Sequence, residues 1–83
     1  MKAPAPAPAS PYHKTVPSKT IDVYRVLVAF GVTDPCLQHA IKKLLCAGQR
    51  RGGKTLEQDV EEARWSLNRW FEMRAEEETA RRG

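Results

Sequence analysis

The middle of this chain has no acid: between Pro35 and Leu56 there is not one Asp or Glu, while Lys42, Lys43, Arg50, Arg51 and Lys54 all fall there. Eight of the acids are instead gathered from Glu57 onward, so a formal net charge of only +4 hides a concentrated basic segment that can attract anions. Cysteine is also scarce. The two present, Cys36 and Cys46, are too few for a disulfide framework. On one helix they would sit about 15 Å apart, beyond disulfide reach, which predicts free thiols in a reducing, cytoplasmic setting. No apolar run is long enough for a membrane span, and the first residues lack the apolar core of a signal peptide. No internal repeat is visible. Finally, 83 residues allow one small domain, which buries little apolar surface and is marginal alone. Homo-oligomerisation is the expected remedy.

What is present reads as helix. Residues 1–11, with alternating Ala and Pro, favour extended polyproline geometry and carry no chemistry of their own. With the lead-in they make a flexible segment over 1–17, followed by a helical domain over 18–78 and a frayed tail over 79–83. A first helix is predicted from Ile21 to Phe30, capped by Thr20, with Asp22 in its first turn and Gly31 as its stop. A second starts where Asp34 caps and Pro35 takes the first helical position, and runs to about Ala47 with Gly48 just beyond. Its apolar face is Leu37, Ala40, Ile41, Leu44 and Leu45; His39, Lys42, Lys43 and Cys46 share the other. The third begins after Thr55, where Thr55 and Gln58 have the spacing of a capping box. Leu56, Val60, Ala63, Leu67, Trp70 and Phe71 form its apolar stripe, and Trp65 lies on the opposite side. The fold expected is all-α: a small three-helix module made of a helical hairpin plus an N-terminal helix.

The chemistry concentrates in the turn between the second and third helices, Gly-Gln-Arg-Arg-Gly-Gly-Lys-Thr over 48–55. It matches the spacing of a Walker P-loop, but a P-loop follows a buried strand in a parallel sheet, and here an amphipathic helix precedes the turn. The motif instead predicts a general phosphate site. Glycines let backbone N–H groups approach an anion, Arg50, Arg51 and Lys54 bring charge and donors, and a helix N-terminus begins at Thr55. His39, Lys42 and Lys43 extend the site along the second helix, and Tyr12 and His13 are candidates to fold over a ligand. Trp65 is a candidate for stacking on a base or, preferably, for packing on another subunit. Cysteine and histidine fall into no zinc-ligand pattern, and His39 and Cys46 lie two helical turns apart with no third residue to orient them. No catalytic residue, metal or cofactor is assigned.

Pro11 to Glu72 resembles a family of small phage proteins carrying a domain of unknown function, found also in a phage nucleotide kinase that acts on nucleoside monophosphates. The resemblance rests on Pro11, Tyr12, His13 and Lys14, with aromatic and His transposed; on Ile21, Asp22 and Val23; on Ala40, Ile41, Lys42, Leu44, Ala47, Gly48 and Arg50; and on Leu56, Glu57, Asp59, Ala63, Trp65 and Leu67. The chain departs from the family at Lys43, where it has Tyr, at Cys46, where it has Arg, at Ser66, where it has an aromatic, and at Glu61 and Glu62, where it has lysines. The resemblance implies a phage-derived, nucleotide-binding helical oligomer in the host cytoplasm. Three functions follow as expectations. The first is a binding protein that sequesters a host defence-signalling nucleotide. The second is a kinase-like phosphotransferase with Asp59 positioning an acceptor or Mg²⁺. The third is a small DNA-binding regulator, disfavoured by the acidic outer face of the third helix.

Overall fold

A computed structural model describes residues 11–17, 19–49 and 52–82. Among them there are three helices and no strand: α1 (Val23–Ala29), α2 (Pro35–Leu45) and α3 (Leu56–Arg82). The all-α expectation holds. No helix among the described residues is long and apolar enough to cross a membrane. The residues group into two compact units, one ending at Val32 and one starting at Thr33, so the division falls inside the 18–78 stretch.

In the first unit, α1 starts later than predicted. Asp22, not Thr20, is the cap: it has extended φ and ψ, and its Oδ1 accepts from Arg25 N at 2.8 Å. A carboxylate is at least as good a cap as a hydroxyl, and it satisfies the donor three residues into the helix. The stop is as expected. Gly31 adopts φ +68, Gly31 N donates to Val28 O at 3.1 Å and Val32 N to Leu27 O at 2.9 Å, the paired bonds of a Schellman motif. Among the described residues of this unit, Leu27 is buried.

The second unit is an antiparallel hairpin of α2 and α3. Asp34 caps α2 through Oδ1, which accepts from Cys36 N at 2.9 Å and Leu37 N at 3.0 Å, with Pro35 behind it. Asp34→Ala removes the acceptor for both donors and should cost about 1 kcal/mol of stability, read as an earlier midpoint in urea. The helix closes at Leu45, two residues short of the predicted end, and Gly48 then takes φ +69 to turn the chain. The capping box of α3 is present as predicted: Gln58 N donates to Thr55 Oγ1 at 3.2 Å, and Thr55 N to Gln58 Oε1 at 2.9 Å. The predicted frayed tail is corrected, because α3 continues unbroken to Arg82. Glu78 pairs with Arg81 and Arg82, and Arg69 with Glu72 and Glu76, so ion pairs within the helix support its polar end.

The packing seam uses only part of the predicted apolar faces: Leu37 and Ile41 on α2 are half-buried as expected. The two helices meet through Ala40, on α2, and Asp59 and Ala63, on α3, all buried, with Ser66 and Trp70 half-buried farther along. Cys36 Sγ reaches Met73 Sδ at 4.0 Å near the open end. Of the predicted α3 stripe, only Ala63 is buried and Trp70 half-buried; Leu56, Val60, Leu67 and Phe71 are exposed. On α2, Leu44 and Leu45 are exposed too, while Lys43 of the supposed polar face turns inward. Small residues at the crossing let the helices approach closely, and polar pairs then fill one edge of the seam.

Candidate functional site

That polar edge holds most of the residues the sequence singled out. His39, on α2, places Nδ1 2.6 Å from Ser66 Oγ, on α3. One helical turn later, Lys43 Nζ lies 3.2 Å from Glu62 Oε2, and Lys54, from the turn, pairs with Glu62 Oε1. One carboxylate therefore holds two lysines, one on α2 and one in the turn. The hydrogen bond from Lys54, with the contact to Lys43, keeps the Glu62 carboxyl below the usual carboxylate range against an opposing push from burial. Glu62 was missed by sequence reasoning except as a departure from a family. The signal available was the spacing of Lys54 and Glu62, eight residues apart across a helix start.

Beneath this edge sits the residue that shapes the turn. Asp59 is 1 % exposed, the only buried charged side chain among the described residues. Its Oδ2 accepts from Gly48 N at 2.8 Å. Gly48 must be glycine on two counts. Its φ is +69, and a Cβ there would sit 3.1 Å from Leu56 Cβ. Asp59 thus ties Gly48, just past the end of α2, to the first turn of α3.

Beside the paired lysine an open groove of about 290 Å³ runs along α3, lined by Lys54, Gln58, Glu61, Glu62 and Trp65. Both of its carboxylates are engaged: Glu62 by the two lysines and Glu61 by Arg64. The walls are otherwise mostly carbon and include Trp65, which is 60 % exposed. Glu62, which holds the Lys54 ammonium, lies one helical turn before Trp65, so the groove sets a cation close to an aromatic plate.

No family model, curated protein or solved structure matches this chain.

The predicted site residues are only partly brought together. Lys43 and Lys54 meet at Glu62, and His39 lies farther along the same edge on Ser66. Lys42 is exposed on α2. Thr55 spends its backbone N–H and its Oγ acceptor capacity on the capping box. Tyr12 and His13 are exposed and belong to the first unit. Arg50 and Arg51 lie outside the described residues. Among the described residues, no group of three His, Cys, Asp or Glu side chains could hold a metal ion.

Proposed function

We propose that this protein is a non-catalytic nucleotide-binding module of an oligomeric, phage-derived kind. The base stacks on Trp65, and the phosphates lie toward Lys54, Arg50 and Arg51 of the turn. The observation that carries the proposal is the groove itself, which is lined by an exposed indole, a lysine from the turn and Gln58. Stacking on an aromatic plate is worth about 1–3 kcal/mol per base, and it needs an accessible indole. Gln58 keeps its Oε1 on the Thr55 N–H, which leaves its amide N–H₂ to donate toward a ligand. In the phage setting that the resemblance implies, binding without turnover withdraws a host signalling nucleotide.

The phosphotransferase alternative has less to stand on. Asp59, the carboxylate that would position an acceptor or Mg²⁺, is buried and committed to Gly48 N. Lys43 and Lys54 share the Glu62 carboxylate, which offsets one of their two charges. DNA binding would set phosphates against the acids of α3.

The test is a titration of Trp fluorescence with nucleoside mono-, di- and triphosphates and with inorganic phosphate alone. Arg50→Glu combined with Lys54→Glu should weaken nucleotide binding about 100-fold. Trp65→Ala should weaken nucleotides while leaving inorganic phosphate unchanged. Unaltered nucleotide affinity in the doubly charge-reversed protein would sink the proposal. Turnover of ATP with a nucleoside monophosphate would replace it with the kinase.

A further inference from the structure

The hairpin has a second face, and it is apolar. On α3, Leu56, Val60, Leu67 and Phe71 recur at helical spacing in a stripe about 90° from the seam that meets α2, at about 100° per residue. On α2, Leu44 and Leu45 lie on the same side. All six are exposed, Leu56 at 58 % and Phe71 at 65 %. At about 150–200 Å² for a full side chain, they leave roughly 500–600 Å² of apolar surface open, the upper range for a monomer. Meanwhile, among the described residues, the hairpin's own fully buried apolar side chains are Ala40 and Ala63. So small a core does not sustain a hairpin of this length in water.

We propose that this face pairs with the same face of a second copy of the chain, giving an antiparallel four-helix bundle across a two-fold axis. The area fits: a stable dimer buries about 800 Å² per partner, and about 65 % of a homodimer interface is apolar, which comes to about what is exposed here. A two-fold axis brings this stripe against the same stripe of the other copy, so one patch serves both partners. Trp65 lies about 150° round α3 from the stripe. The subunit contact expected of Trp65 therefore passes to Phe71 and Leu56, and both grooves of the dimer face outward with Trp65 free to stack.

Sedimentation velocity on the full chain, with melting followed at several protein concentrations, tests this. The expected result is twice the chain mass in the micromolar range and a melting temperature that rises with concentration. Phe71→Ala should raise the dimer dissociation constant at least tenfold. Phe71 is largely exposed in the single chain, so this change removes little of the packing within each hairpin. Trp65→Ala should leave the mass unaltered while weakening nucleotides, which keeps a failure of the nucleotide proposal separate from a failure of this one. A monomer at 100-fold higher concentration with concentration-independent melting would overturn the inference and leave the face to the N-terminal unit or to another protein. So would a dimer as tight in Phe71→Ala as in the unaltered chain.

Discussion

Asp59→Ala should lower the melting temperature by about 10 °C, from a loss of about 1–3 kcal/mol. The carboxylate is 1 % exposed, and it receives the Gly48 N–H at 2.8 Å. Removing it leaves a backbone donor at the close of the hairpin without its acceptor and opens space between the helices at their tightest point. Asp59→Asn keeps an oxygen in place and should restore about half of the loss. Gly48→Ala attacks the same contact from the other side. It forces a Cβ into a left-handed backbone and against Leu56 Cβ, 3.1 Å away. Because both changes break one joint, the double variant should fall short of the sum of the two single effects. Circular dichroism melts of the four proteins measure this directly. An Asp59→Ala protein that melts with the unaltered chain would remove Asp59 from its place as the tie between α2 and α3.

This joint shows what the sequence could and could not convey. Local rules located the helices well. Asp34 before Pro35, Thr55 before Gln58 and Gly31 after Phe30 are each settled by hydrogen bonds within a few residues, and each is found as expected. The α1 cap moved by two residues because two suitable cap residues, Thr20 and Asp22, stood close together and only the backbone decides between them. The end of α3 was misjudged because polar composition was read as fraying, when ion pairs spaced three, four and seven residues apart support helix there. The seam was the larger error. Periodicity finds the widest apolar stripe and assumes that it faces the partner within the chain. Here the seam takes one edge of each predicted face, Leu37, Ala40 and Ile41 on α2 and Ala63 and Trp70 on α3, adds Asp59 and Ser66, and leaves Leu56, Val60, Leu67 and Phe71 outside. That exposed stripe is the surface we propose to pair with a second copy.

The candidate site was legible as chemistry but not as arrangement. Lys43 and Lys54 were both named from charge, yet nothing in their positions said that a single acid would hold them. Asp59 looked like an accessible carboxylate beside a basic turn and is instead the buried support of that turn. Trp65 was set apart by its angle on α3, and its exposure agrees with that; the groove that gives the indole neighbours is a property of the folded turn.

Glu62→Gln should tighten binding of sulfate, used as a phosphate stand-in, about five- to tenfold at neutral pH. In the free protein the carboxylate occupies Lys54 and Lys43 as a tethered anion, so an incoming phosphate must displace it from the charges it seeks. Glutamine keeps the shape and a carbonyl acceptor but gives up the charge. The gain should vanish when Lys54→Ala is added, because the released cation is then missing. Acid should have a parallel effect in the unaltered chain. Lys54 first, then Lys43, hold the Glu62 carboxyl below the range of an unfolded glutamate. Its contribution to stability is therefore present above the unfolded-state value of about 4.3 and is lost as pH falls through the lower, folded-state value. Through that same window protonation frees the lysines, so sulfate, whose charge does not change there, should bind more tightly as the pair dissolves. In Glu62→Gln both dependences should flatten. Calorimetric titration with sulfate between neutral pH and the acid limit of the folded state reads both effects. Equal affinity in the two proteins at neutral pH would mean that Glu62 does not compete for the site, and that anions bind through Arg50 and Arg51 without drawing on Lys54.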